Sequence, residues 1–502
     1  MSKKNIMKVN KKLFIILAIV VLYFVVGAII MAYHEPWRDE AQAWLIVRDS
    51  SPFELFARLR TEGHPMLWYL VLMPFAKLGL PYITMGIISL LIMSVTMFLF
   101  LKWAPFGKLV KAMVLPSSMF LYYYPNIARS YCLIALLVVV VGVFYKDRLL
   151  HPIRYALALA LLAQTHVLVL GLVGILYLCF GVELWRKKMH LKNVRHKKAV
   201  LWALVIPIVS ALVVFVTLVG TSNPVAARDP ISRDLIYTKL KFDVDVISFP
   251  AEEGGWILVT EAVLVLCAAF LLFRPKLFLV LGGSVGFYTL VNIFMYSSGA
   301  THKPVILLYF LMLVAWMAYY EKTTPWGNYK NNQYVKLLAM PAVTSAVFGL
   351  WCATTMPRIT RDAKLDISEP YSASKIGGPE IDRSTSNGAI IVSTKDYVTS
   401  TFVPYLTKGQ ETWSLKNKEY FTYVDWAKGT GYEMPTPDEI LQTIDAELPK
   451  DRPIYILACG WEEGFEERHE NKIRGTLDIA LPYAVMEVEN DCKLYDYLSD
   501  LR

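Results

Sequence analysis

Five short segments carry residue types that could do chemistry, and each falls where an apolar stretch gives way to a polar one. HEPWRDEAQAW (34–44) supplies Glu35, Arg38, Asp39 and Glu40, and TEGHPMLWY (61–69) adds Glu62 and His64. YYYPNIARSY (122–131) contributes Arg129 and Tyr131, His166 closes another apolar run, and THKP (301–304) brings His302 and Lys303. Carboxylates beside cations at such a boundary suit the displacement of a phosphate by a hydroxyl. The hydroxyl needs a base within hydrogen-bond reach. The departing phosphate needs cations or N–H donors in a partly desolvated site. Asp39 is the expected base; Arg129, Lys303 and Arg38 are the candidates for the phosphate. Glu40 orients Asp39 or binds a metal, and Glu62 is a further acid.

The elements that must hold these residues are membrane helices. The chain has 502 residues, 55% hydrophobic and 19% charged, with a mean hydropathy of +0.42, which excludes a disordered chain and an ordinary soluble enzyme. Residues 1–356 hold 34 basic and 16 acidic side chains and residues 357–502 hold 17 and 26, so a net +9 hides +18 followed by −9. The positive-inside rule explains that basic excess without nucleic acid as a partner. An apolar run of about 20 residues spans a bilayer. Such runs fall at 13–33, 82–101, 109–124, 131–145, 155–166, 167–184, 199–219, 256–273, 277–295, 305–320 and 336–355. With about eleven spans, 23 of the 34 basic residues fall in inner loops. That count expects a multi-pass plasma-membrane protein with a cytoplasmic N-terminus, and it places all five segments on the outer side. The first run is read as a retained anchor, since HEPWRDE rather than a small-residue cleavage site follows it. Two outer loops are long: 34–81, with apolar residues at helical spacing beside charges as in surface-lying helices, and 220–255, a candidate lid.

Residues 357–387 are polar and rich in Ser and Gly and are expected to be a linker. Beyond them, 388–502 reads as an extracytoplasmic α/β domain. GAIIVST (388–394) and RPIYILACG (452–460) are expected as buried strands. TPDEILQTIDAEL (436–448) is expected as a helix with a capping box at Thr436 and Glu439, and YAVMEVE and CKLYDYL as paired strands. Cys132, Cys179, Cys267 and Cys352 read as buried packing residues, while Cys459 and Cys492 lie outside and could pair. No metal motif occurs; the acids do not demand a divalent cation, and that question stays open.

Carboxylates and cations at a bilayer rim fit transfer of a sugar from a polyprenyl phosphate, whose tail stays in hydrocarbon while the acceptor arrives from water. The ordered set also carries a resemblance. The acidic pair Asp39-Glu40 after the first span, His64-Pro65 in the same loop and Arg129-Ser130-Tyr131 at a later outer turn resemble the GT-C glycosyltransferases. They are most similar to the protein O-mannosyltransferase and aminoarabinose transferase group and to a subgroup of bacterial putative glycosyltransferases. That resemblance covers roughly residues 10–170. It implies Asp39 as base, His64-Pro65 near the donor phosphate and a polyprenyl-phosphate-linked sugar donor. It leaves the acceptor unknown; Met66 stands where a second proline is common. The expected protein is therefore a polytopic α-helical, GT-C-like membrane enzyme (1–356) that transfers a sugar with inversion. Two rivals remain: a lipid-linked glycan polymerase or ligase, in which Arg228 and Arg233 would matter most, and a transporter or flippase. Plainer roles stand beside each residue: the acids at a helix N-terminus, His64 in a turn, Arg129 as a headgroup anchor, Tyr122–Tyr124 as an aromatic belt.

Overall fold

The computed structural model describes residues 3–188, 194–218, 232–247, 274–295, 301–321, 341–368, 372, 374–428, 435–459, 472–480 and 491–498. The expected span 256–273, the start of the span at 336–355, much of the 220–255 loop and the YAVMEVE strand lie outside these residues.

The first 31-residue helix, α1 (Lys3–Tyr33), ends where the apolar run stops, and three shorter helices follow: α2 (Arg38–Asp49), α3 (Pro52–Glu62) and α4 (Leu67–Lys77). Next come α5 (Thr84–Trp103), α6 (Lys108–Val114), the single turn α7 (Tyr123–Asn126), α8 (Tyr131–Tyr145) and α9 (Pro152–Ala163). After α10 (Leu170–Arg186), α11 (Val194–Leu218) and α12 (Arg233–Ile247), helices occupy Pro275–Met295, Val305–Met317 and Pro341–Thr354. Five described helices are long and apolar enough to cross a membrane: those ending at Tyr33, Trp103, Arg186, Leu218 and Met295. Phe14, Leu22, Leu201 and Phe215 are more than half exposed on α1 and α11. Apolar surface on that scale is covered by lipid rather than water. The chain is a polytopic helical membrane protein. The expected span at 109–124 is broken instead: α6 stops at Val114, and turns occupy 115–122 before α7. Pro116 lacks the N–H that would continue the helix, and the Ser117 hydroxyl donates to Val114 O at 2.6 Å.

The helices sort their ends. Arg129, Tyr131, His166, His302 and Lys303 lie at one end of α8, α10 and the two helices flanking residue 302. Arg148, Glu183, Lys276 and Glu321 meet at the other end. There Arg148 donates twice to Glu183, at 2.7 and 2.9 Å, and once to Glu321 at 2.9 Å, while Lys276 pairs with both acids. Two cations and two anions with their hydrogen bonds filled can stay buried, where a lone charge could not. Close packing holds the core between these ends. A methyl on Gly142 of α8 would meet Trp316 at 2.9 Å, and one on Gly171 of α10 would collide with Phe287. Small residues at these crossings let the backbones approach.

Residues 357–387, expected as a linker, are largely helical, with helices at Met356–Ser368 and Ser374–Ser384. The C-terminal domain is a six-stranded mixed sheet in the order β3-β2-β1-β4-β6-β5. Its strands are β1 (Ile390–Ser393), β2 (Glu411–Ser414), β3 (Glu419–Phe421), β4 (Ile454–Cys459), β5 (Ile473–Ala480) and β6 (Asp491–Tyr497). The central strand β1 pairs in parallel with β2 and β4 and is buried throughout, as its unbroken apolar run requires. Ile440, Leu441 and Ile444 of the Pro437–Glu447 helix pack on one face, and Ile381, Val398 and Phe402 on the other. The capping box is present: Thr436 N–H donates to Glu439 at 2.8 Å, and Glu439 N–H donates back to the Thr436 hydroxyl at 3.4 Å. Cys492 is disulfide-bonded, and its register partner across the antiparallel β4–β6 ladder is Cys459.

Candidate active site

Local chemistry fixes each piece of the site. Pro36 and Trp37 end the exit from α1, and Trp37 N–H donates to the Glu40 carboxylate at 3.1 Å, capping the first turn of α2. That turn exposes Asp39 at the positive end of the helix. Ser51, Pro52 and Glu54 start α3 by the same logic, the Ser51 hydroxyl accepting from Glu54 N–H at 3.2 Å. Gly63 ends α3 with φ of 67°, a left-handed turn that a side chain would strain. This turn delivers His64 directly behind Glu62. Arg129 sits on a tight turn in which its N–H donates to Ile127 O at 2.8 Å, while Ala128 N–H donates to Glu40 Oε1 at 2.7 Å.

These pieces converge. Asp39 pairs with Arg129 at 2.8 Å through one oxygen and accepts from Arg38 Nε at 3.1 Å through the other. Arg129 Nη2 lies 2.8 Å from His64 Nε2. A guanidinium only donates, so Nε2 accepts and the His64 proton resides on Nδ1. Nδ1 is buried with no hydrogen-bond partner among the described residues. The His166 ring lies 5.1 Å from His64, tilted by 57°, and its Nε2 lies 3.3 Å from the Tyr131 hydroxyl. The Tyr131 ring meets His302 edge-on at 4.7 Å, and His302 in turn faces Trp37 at 6.0 Å.

The charge states follow from these neighbours. Burial alone would raise the Asp39 carboxyl, but Arg129 first and Arg38 next hold it well below the usual carboxylate range. Burial, followed by Arg129, lowers His64 to about 3. Burial, followed by Lys303, lowers His302 to about 3, and His166 lies well below its ordinary value, chiefly through burial. All three imidazoles are neutral. Burial also brings the Lys303 ammonium down to about 8, against the pull of Asp39. Glu62 moves the other way: burial raises it to about 8, only partly offset by the bond from Gln42 Nε2 at 2.8 Å. Near neutral pH Arg38, Arg129 and Lys303 lie around the ionised Asp39. Asp243, raised by burial to about 6, adds a second anion in the field of Lys303.

The sequence matches no family model and no curated protein. The structure is similar to the crystal structure of ArnT from Cupriavidus metallidurans in the apo state, with a TM-score of 0.49 and 14% identity, covering 95% of this chain and 98% of that one. At that level the likeness supports no functional inference.

The structure joins Arg38, Asp39, Arg129, His64, Tyr131, His166 and His302 through contacts, and Glu62 and Lys303 through their charge coupling to Asp39. Glu40 is placed differently: its oxygens receive Ala128 N–H and Trp37 N–H and face His34, so it braces the backbone rather than meeting Asp39. Among the described residues no group of three His, Cys, Asp or Glu is arranged to hold a metal ion. Arg233, a candidate in the polymerase or ligase reading, is exposed on α12, and Arg228 lies outside the described residues.

Several contributors escaped sequence reasoning. Gln42 uses its amide on Val424 of the C-terminal domain, donating to its carbonyl at 2.7 Å and accepting its N–H at 2.9 Å. Arg58 pairs with Asp425 at 2.9 Å, and Arg38 lies 5.6 Å over the Trp426 ring. The C-terminal domain thus rests on α2 and α3 beside Asp39. No pattern in 421–428 marks these contacts. His34, by contrast, stood in plain view at the head of the first segment.

Proposed function

We propose that the protein is an integral membrane glycosyltransferase. It moves a sugar from a polyprenyl-phosphate donor to an acceptor hydroxyl, with inversion at the anomeric carbon. The reading is carried by the Asp39–Arg129–His64 chain: a carboxylate, a guanidinium shared with it, and a buried N–H donor without a partner among the described residues. A lipid-linked phosphate offers oxygens to that guanidinium and that N–H, and its tail suits the apolar helices beneath.

In the resting site Asp39 is a poor base because Arg129 holds its charge. Donor phosphate competes for the guanidinium with better bidentate geometry and takes the His64 Nδ1 proton as a second bond. As Arg129 turns toward phosphate, Asp39 loses its main counter-charge and its proton affinity rises. The acceptor O–H then gives its proton to Asp39, its oxygen bonds to the anomeric carbon, and the bond from that carbon to the phosphate oxygen breaks. The phosphate leaves with the electron pair, against Arg129 and Lys303. One displacement inverts the centre, by analogy with the single-step hydrolases.

A second reading has one observation in its favour: Glu62, raised to about 8, matches the proton affinity wanted of a base near neutral pH. The purified protein offered a panel of polyprenyl-phosphate sugars separates the two. Asp39→Asn should lower donor consumption by about 10²–10⁴-fold, the usual worth of a general base. Loss confined to Glu62→Gln would transfer the role to Glu62. Consumption of no donor, with a solute crossing liposomes instead, would replace the transferase reading with transport.

A further inference from the structure

His34 is buried, and both of its ring nitrogens face carboxylates: Nε2 lies 3.3 Å from Glu40 Oε2, and Nδ1 lies 3.0 Å from Asp366 Oδ2. A neutral imidazole donates through one nitrogen only; satisfying two ionised acceptors needs both protonated. Asp366 is itself buried, and its Oδ1 has no hydrogen-bond partner among the described residues, which leaves the ring as its side-chain partner among them. Glu35, next in the chain and raised by burial to about 7, also couples to His34 and Asp366, and Lys375 Nζ lies 3.4 Å from His34 O. Burial alone would strip the ring of its proton, but Glu40 and Asp366 outweigh it and lift the imidazole to about 10.

Glu40 carries this contact into the site. Its Oε1 receives the N–H of Ala128, the residue before Arg129, while its backbone follows Asp39. The two partners of the Asp39–Arg129 pair are therefore each one residue away from the same carboxylate. We propose that His34 is a positioning residue: as an imidazolium bridging Glu40 and Asp366, it fixes the Glu40 carboxylate and so sets the reach of Arg129 to Asp39. Asp366 belongs to the Met356–Ser368 helix, which leads from the membrane helices toward the C-terminal domain. The bridge thus ties the register of that connection to the geometry of the site. The proposal rests on the transferase reading only for its kinetic consequence.

Two measurements test it on the full-length protein. The first compares kcat and KM of wild type and Asp366→Asn, on whichever polyprenyl-phosphate sugar the wild type consumes, across about pH 6 to 9, the interval between an ordinary and a doubly paired imidazole. Removing one carboxylate weakens the hold on the proton. The ratio of variant to wild-type kcat should therefore fall at least about tenfold, one pH unit's worth of protonation, over that interval with KM nearly constant. His34→Gln should lower kcat without adding any pH dependence. A constant Asp366→Asn ratio would mark the bridge as packing only and overturn the proposal. The second measurement needs no donor: ¹⁵N-histidine spectra of wild type, with the His34 resonances assigned by their loss in His34→Gln. Two protonated nitrogens at neutral pH are expected, and a singly protonated ring would overturn the proposal. If no donor is consumed, the transferase reading fails while the spectra still decide the charge of His34.

Discussion

Glu62 and Asp39, at the far ends of the α2–α3 pair, show how two carboxyls are driven in opposite directions by their surroundings. Asp39 has guanidiniums on both oxygens; Glu62 has an amide and little water. A folded-state pKa of about 8 for Glu62 against an ordinary value of 4.5 means that the folded chain keeps a proton which the unfolded chain has lost. Between those pH values the unfolded state binds fewer protons, so stability falls as pH rises. Glu62→Gln removes that penalty. Its thermal unfolding midpoint in detergent should exceed that of wild type at pH 8, and the gap should close as pH drops toward 5. A gap that widens on acidification would contradict the assigned protonation. Lys303, at about 8, adds a kinetic counterpart: kcat/KM for the donor should decline above about pH 8 as one phosphate cation is lost, and Lys303→Arg, which stays charged, should abolish that decline.

At the scale of elements, the site is precise because helix crossings leave no slack. Gly142 against Trp316 and Gly171 against Phe287 fix how closely α8 and α10 approach the helices that flank His302. Gly171→Leu should therefore lower the unfolding free energy by about 1–3 kcal/mol, the usual cost of overpacking. It should also slow donor turnover, because His166 and His302 sit at the ends of the displaced helices. An unchanged midpoint in a thermal melt would show that the crossing has room. Much at this scale was legible in sequence. The first helix α1, α8, the strands β1 and β4 and the capped helix at 437–447 follow from apolar runs with clear stops. The run at 109–124 misled because hydropathy does not see Pro116 interrupting a ladder. The polar stretch after 356 misled because composition reads Ser and Gly as linker, whereas Ile359, Ala363 and Ile381 are buried contacts that give it helices.

Across the whole molecule, the candidate site is where the membrane helices and the sheet domain meet. The residues gathered by order and depth alone, from Asp39 to His302, converge as one cluster; their partners from residues 366 and 424–426 were not legible, because contacts more than 300 residues apart leave no local pattern. The joint makes its own prediction. Arg58–Asp425 is half exposed, and Asp425→Ala should cost under about 1 kcal/mol, as surface ion pairs do. Gln42→Leu strands Val424 N–H, Val424 O and a Glu62 oxygen at once, at about 1–3 kcal/mol for each buried group. Comparing the two by denaturant unfolding shows whether the amide or the ion pair holds the domain. Equal losses would refute the ranking.

The most direct test of the account is the affinity of the purified protein for a short-chain polyprenyl monophosphate, measured beside donor turnover for wild type and Asp39→Asn. If Asp39 holds Arg129 until phosphate takes it, neutralising residue 39 removes a competitor: the variant should bind the monophosphate several-fold more tightly, while its turnover collapses. Weaker binding in Asp39→Asn, or turnover that survives the substitution, would contradict it.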